Sequence, residues 1–330
     1  MPSSSTAPAT VPRAKPSNLV RWRTIMSLFV AFVAHQLVSI KSEFDEINQE
    51  LSHPVSFFVE EFGSQLALAL AFTLVHYVVK KILLPLADKL VKHKQSWSDE
   101  VRHARKERWC ASVFKLVYFI CITIFGWHCL KDMDWMPAEM AGSGSLDKLA
   151  TPGSVPVPQA AHTYYTIASA YHLSETIFQL AFEFHRPDFY EMIMHHCATN
   201  WLLAFSLIAG YHRHGTLVLF LHDASDIPAY LTKLTVDTTA DVSCAIAFAN
   251  VLLSWGYLRL YVFPLIIYRS IYICSPQTHP GYHMFIGMKL ALVGLHLYWY
   301  RLFLHMGYRF LATGQQEDKQ ANLAAMEKDR

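Results

Sequence analysis

The chain has little charge, few glycines and no glycosylation acceptor. Only 16% of its 330 residues are Asp, Glu, Lys or Arg, and these nearly cancel to a formal +2. Such a balance excludes the basic groove or stripe with which a protein tracks a phosphate backbone, so no nucleic acid partner is expected. The six cysteines, Cys110, Cys121, Cys129, Cys197, Cys244 and Cys274, form no CxxC pair and no zinc spacing. They read as small apolar residues inside apolar runs, not as a disulfide framework. No Asn-x-Ser/Thr occurs, so a glycan cannot report which loops face the lumen. Met1 to Ser17, rich in Ser, Pro, Thr and Ala, lacks the apolar core of a signal peptide and reads as a disordered tail.

Apolar sequence is what the chain has in quantity. A hydrophobic content of 53% and a mean hydropathy of +0.21 place it among polytopic membrane proteins. Seven runs approach the roughly 20 residues that carry a helix across ~30 Å of hydrocarbon. They are Ser64 to Leu86, Ala111 to Leu130, His162 to Phe184, Tyr190 to Ile208, Gly215 to Leu234, Asp241 to Tyr268 and Tyr282 to Leu311. The expected fold class is therefore all-α with about seven transmembrane helices. Ile25 to Ile40 is shorter, carries His35 and Gln36, and is flanked by Arg21, Arg23 and Lys41, so it reads as an interfacial helix.

Lys80, Lys81, Lys89, Lys92, Lys94, Arg102, Arg105, Lys106 and Arg108 form the densest basic block, expected as a cytosolic loop between the first two spans. Counting turns from there makes Lys131 to Ala161 lumenal, the turn at Arg186 cytosolic and the turn at Arg213 lumenal. Lys233 and the tail after Arg309 then fall on the cytosolic side.

Ionisable residues interrupt the fourth and fifth runs. Each charge near the centre of a membrane helix costs about 2.5–3.5 kcal/mol, whereas each Leu, Ile, Val or Phe returns only about 0.3–0.6 kcal/mol. A fifth span with both Asp223 and Asp226 ionised is near zero or unfavourable alone, and needs partners, water or a polar bundle interior. Asp223 and Asp226 are three apart and His222 and Asp226 four apart, so the three can share one helix face. Pro228 should kink the helix beside them. On the fourth span Glu191, His195 and Thr199 recur every four residues, with His196 three before Thr199, which makes one polar stripe. Counted inward from Arg186 and Lys233, His195 and Asp226 lie about 13 Å and 10 Å deep on antiparallel helices. The chemistry such a set can perform is that of a histidine base or nucleophile with a carboxylate to orient it. A metal reading is weaker, because the histidines lack the repeated three- or four-residue spacing of membrane di-iron boxes.

The run Arg186-Pro187-Asp188-Phe189-Tyr190-Glu191-Met192-Ile193-Met194-His195-His196-Cys197-Ala198-Thr199, then Ser206, Arg213-His214-Gly215, His222-Asp223-Ala224-Ser225-Asp226 and Lys233, resembles the long signature of the ceramide synthases, within the TLC-domain family. Lys106-Glu107-Arg108-Trp109, Arg259 with Pro264, Gly281-Tyr282, and His296 with Trp299 extend the likeness. The resemblance implies an endoplasmic-reticulum N-acyltransferase that joins a fatty acyl-CoA to a sphingoid base. In this picture the last six helices form a barrel around a lipid tunnel, and the C-terminus is cytosolic. It matches His195 and His196 to the catalytic pair and His222, Asp223 and Asp226 to the acidic part of the site. Arg186, Asp188, Glu191, Thr199, Arg213, Lys233, Arg259 and Trp299 are the expected substrate-binding set. No metal and no cofactor beyond the acyl-CoA co-substrate is implied, and a homo- or hetero-oligomer or a regulatory subunit is compatible with it.

The corresponding layout is a tail over 1–24, a membrane-associated segment over 25–63, and a first transmembrane helix with its basic loop over 64–105. A catalytic domain over 106–311 and a cytosolic tail over 312–330 follow. Leu207, Gly210 and Tyr230 stand where the family usually has Tyr, Asn and Glu, and the homeobox-like insert of many animal members is absent. Two other readings use the same residues: a non-enzymatic lipid-handling or translocation-associated TLC-domain protein, and a proton pathway. The first needs the helices but not five site residues together, and the second lacks polar residues continuing to the lumenal side.

Overall fold

A computed structural model describes residues 54–93, 97–150, 157–184, 186, 188–208, 211–238, 241–273 and 282–313. The interfacial helix expected at Ile25 to Ile40, both tails, His185, Pro187 and Gly210 lie outside this set. Among the described residues no strand forms. The long helices are α1 (Pro54–Leu90), α2 (Asp99–Leu130), α3 (Gln159–Phe182), α4 (Phe189–Ile208), α5 (His212–Val236), α6 (Asp241–Ser254), α7 (Phe263–Ile273) and α8 (Tyr282–Thr313). A π-helical segment, Trp255–Val262, joins α6 to α7 without a break. Each expected run falls on one of these rods.

Three stretches, Glu60–Leu90, Asp99–Leu130 and Val242–Ile271, are long and apolar enough by themselves to cross a membrane. The helices α3, α4, α5 and α8 carry buried ionisable side chains such as Glu175, His196, Asp223 and Lys289, which lower their hydropathy. The surface is apolar where a soluble protein's would be polar: Ile82, Leu253 and Leu311 are 70%, 72% and 86% exposed. Meanwhile Asp223, Asp237, Lys289 and His296 are at most 1% exposed. That inversion is what hydrocarbon as the outer solvent requires.

Two expectations about the connections change. Most of the basic block is helical: Lys80, Lys81 and Lys89 lie on α1, and Arg102, Arg105, Lys106 and Arg108 lie on α2, which begins at Asp99, twelve residues before the apolar run. Ser98 starts it by accepting a hydrogen bond from the Val101 amide at 3.3 Å, and Asp99 and Glu100 occupy the positively polarised first turn. The block's cations are also engaged. Arg105 and Arg108 hold Asp237 just past the end of α5, Arg102 and Lys106 hold Asp88 at 2.9 Å, and Lys80 meets Glu107 at 3.3 Å.

The first part of the expected lumenal loop, residues 131–150, is folded. Short 3-10 turns at Ala138–Met140 and Leu146–Ala150 surround Trp135 and Met136, which are almost wholly buried. The plug is tied to the bundle by Arg213 donating to the Lys148 carbonyl at 3.2 Å and by Tyr257 donating to the Glu139 carbonyl at 3.0 Å.

Neighbour contacts among the helices close a cycle. α2 packs on α3, α3 on α4, α4 on α8, α8 on the α6–π–α7 rod, that rod on α5, and α5 back on α2, while α5 also touches α3 and α4 and α1 lies against α2 and α3. Two glycines permit the closest approaches. A Cβ on Gly126 of α2 would stand 2.6 Å from the Tyr164 ring and 2.9 Å from Phe220, and one on Gly215 of α5 would meet the Ser206 hydroxyl.

Candidate active site

α4 and α5 bring the two polar stripes into one buried region. His195 and His196 have ring centroids 5.6 Å apart, and His195 stands edge-on to Trp299 of α8 at 5.1 Å. Trp299 belongs to an apolar cluster with Val251, Trp255 and Phe303, so the indole is held from behind. The Nδ1 atoms of both His195 and His196 are buried and have no hydrogen-bond partner among the described residues.

The acidic residues are held by partners on other helices. Asp226 accepts from the Arg259 guanidinium at 2.6 Å. Arg259 also donates to the Ser225 hydroxyl at 2.6 Å and the His222 carbonyl at 3.2 Å, and it stacks 3.9 Å over Trp255. The π segment carries Arg259, and such segments are frequent at functional sites. Asp223, fully buried, accepts from the Tyr164 hydroxyl at 2.6 Å and lies 3.9 Å from His172 of α3. The expected carboxylate–imidazole hydrogen bond is not formed in this geometry: Asp223 Oδ2 accepts from Tyr164 and Asp226 Oδ1 from Arg259, while Asp223 Oδ1 is buried with no hydrogen-bond partner among the described residues. α5 continues through Pro228.

His222 is fixed differently. Its Nδ1 lies 2.7 Å from the Val218 carbonyl, and its Nε2 lies 3.1 Å from Nε2 of His296 on α8. Val218 is four residues before His222, so this bond anchors the ring to its own helix.

Further out, Arg186 makes a two-bond fork to Asp188 at 2.8 Å each and reaches Glu183 at 2.8 Å, bracing the turn between α3 and α4. Glu191 and Thr199 are half-buried on α4. Lys233 sits 4.8 Å over the Tyr230 ring. Arg213 is not brought to the site. It stands at the start of α5, thirteen residues from Asp226, or about 20 Å of helix.

Several contributors were not anticipated: Tyr164, His172, Ser225, Trp255, the pairing of His296, and a second buried charge group. In that group Glu175 of α3 pairs with Lys115 of α2 and lies 3.3 Å from His76 of α1, whose ring is stacked between Phe114 and Phe178. Glu175 and Lys115 were detectable by the energetic reasoning applied to Asp223, as charges inside apolar runs. Tyr164 carried no signal, since a tyrosine in such a run is unremarkable. Among the described residues, no group of three or more His, Cys, Asp or Glu is arranged to hold a metal ion.

An apolar exterior around a buried histidine, carboxylate and arginine interior defines a multi-pass helical membrane protein with a polar site inside its bundle. The TLC domain model matches residues 108–305, three-fifths of the chain, and the chain belongs to the TLC-domain family. It is 29% identical to ceramide synthase 1 LOH3 of Arabidopsis thaliana, over 82% of this chain and 90% of that protein. It is 28% identical to ASC1-like protein 3 of rice, over 68% and 81%. With mouse ceramide synthase 4 the identity is 29% over 69% of this chain, which spans 58% of the mouse protein's length.

Proposed function

We propose that the protein is a ceramide synthase, an endoplasmic-reticulum enzyme that transfers a fatty acyl group from acyl-CoA to the amine of a sphingoid base, giving ceramide or dihydroceramide and CoA. The observation that carries this reading is the set of buried His196 and Asp223 with half-buried His195, His222 and Asp226 on two neighbouring helices of a TLC-domain chain whose relatives bear the name ceramide synthase. The closed cycle of helix neighbours supports a six-helix barrel from α2 to α8, with α1 outside it and seven spans in all. In this reading the acyl chain lies in a tunnel within the barrel. Arg186 and Lys233 take the CoA end on the cytosolic side, where the C-terminal tail also emerges.

The reaction needs an unprotonated amine beside a polarised thioester. His195, whose Nδ1 has no hydrogen-bond partner among the described residues, takes the ammonium's first proton and sheds it to solvent. The nitrogen then attacks the carbonyl carbon, the new C–N bond forms as C–S breaks, and the second N–H proton passes through the imidazole to the departing thiolate, leaving a neutral amide and the CoA thiol. If the imidazole nitrogen attacks first, an acyl-imidazole carries the chain to the amine in a second step. The Arg259–Asp226 pair and the Tyr164–Asp223 bond keep the surrounding charge in place without solvent rearrangement.

The test is expression in cells lacking their own ceramide synthases, followed by lipid mass spectrometry across acyl-CoA lengths. New ceramide species are expected. Their absence from cells containing the folded protein would favour the lipid-handling reading instead.

A further inference from the structure

The His222–His296 contact fixes more than the orientation of two rings. The Val218 carbonyl can only accept, so the Nδ1 of His222, 2.7 Å away, carries the proton. With the ring uncharged, the Nε2 of His222 is then an acceptor, and the group that faces it at 3.1 Å, the Nε2 of His296, donates. His296, in turn uncharged, is left with a bare lone pair on Nδ1. That atom is buried, has no hydrogen-bond partner among the described residues, and belongs to a residue with no exposed surface. A buried acceptor without a donor costs about 1–3 kcal/mol unless something supplies one.

The surroundings say what kind of donor is missing. The His296 ring lies 6.3 Å from Trp299, which faces His195 at 5.1 Å, so the orphan nitrogen shares one aromatic cluster with the proposed reacting histidine. Phe263 and Trp255 pack on its other sides at 5.6 Å and 5.8 Å, and the Trp255 indole N–H is already committed to the His296 carbonyl at 3.3 Å. Neither can satisfy Nδ1.

Building on the ceramide synthase reading, we propose that His296 is a substrate-binding residue whose Nδ1 accepts a hydrogen bond from a hydroxyl of the long-chain amino alcohol. The residue thereby distinguishes hydroxylated amines from deoxy amines. The Val218–His222–His296 chain presets the tautomer, so the acceptor is in place before the substrate arrives.

The experiment measures purified wild-type, His296→Asn, His296→Gln and His296→Phe proteins with a long-chain 2-amino-1,3-diol and with its 1-deoxy and 3-deoxy analogues, at saturating acyl-CoA. Asn puts its amide near the position of Nδ1, and Gln puts its amide near that of Nε2. Wild type and His296→Asn are expected to prefer the diol over one deoxy amine by about tenfold or more in kcat/KM, and Gln and Phe to lose that preference while the KM for acyl-CoA holds. A purely structural role in holding His222 predicts the reverse, with Gln preserving function and Asn losing it. Should Phe fail to fold, the Asn and Gln pair decides the matter alone. Wild-type transfer that favours neither amine, or preference that survives in Gln, overturns this inference and leaves the ceramide synthase reading standing. Absence of transfer to every amine by folded wild type overturns both.

Discussion

Arg259 and Asp226 form an ion pair, 2.6 Å between Nη2 and Oδ1, that joins the π segment to α5 at the level of the site. The guanidinium completes its bonding on Ser225 and the His222 carbonyl, so one cation neutralises the acid and clamps the turn that carries it. Removing one partner of such a pair strands the other, at a cost of about 3–5 kcal/mol, whereas replacing both by apolar groups can be nearly neutral. Arg259→Gln should therefore lower the thermal midpoint in detergent, and Arg259→Met with Asp226→Leu should recover most of the stability but no acyl transfer. Recovery of activity in the double variant would show that the pair only holds the fold.

Tyr164→Phe removes the hydroxyl that donates to the fully buried Asp223. The stranded carboxylate should cost about 1–3 kcal/mol in stability. Acyl transfer should fall about tenfold or more with an unchanged KM for acyl-CoA, read by steady-state kinetics. An unchanged kcat would mean that Asp223 has no part in the chemistry.

His195→Ala should abolish transfer in folded, purified protein, and full residual activity would refute its role. Intact mass after incubation with acyl-CoA alone separates the two routes. An added acyl mass that disappears in His195→Ala identifies the acyl-imidazole, while no adduct in the wild type points to direct attack.

Close helix approach gives a stability prediction independent of the chemistry. Gly126→Ala and Gly215→Ala each force a Cβ into a packed ring or hydroxyl and should destabilise by about 1–3 kcal/mol. Gly294→Ala on α8 meets nothing within 4 Å and should be neutral or mildly stabilising. Thermal unfolding of the three variants in detergent compares them directly.

The sequence alone determined the helices and which of them carry polar stripes. A run near 20 apolar residues has only one low-energy form in hydrocarbon, and a His or Asp inside it announces its own cost. It also showed that His195 and His196 belong on one helix and His222, Asp223 and Asp226 on the next, because three- and four-residue spacings are local. Only the tertiary structure decided who partners whom. Asp223 takes Tyr164 from 59 residues away, Asp226 takes Arg259 from 33, and His222 takes His296 from 74. Those choices depend on how helices pack and turn about their axes, down to a glycine where a Cβ would not fit and a π turn that carries one arginine. No local spacing in the chain encodes them.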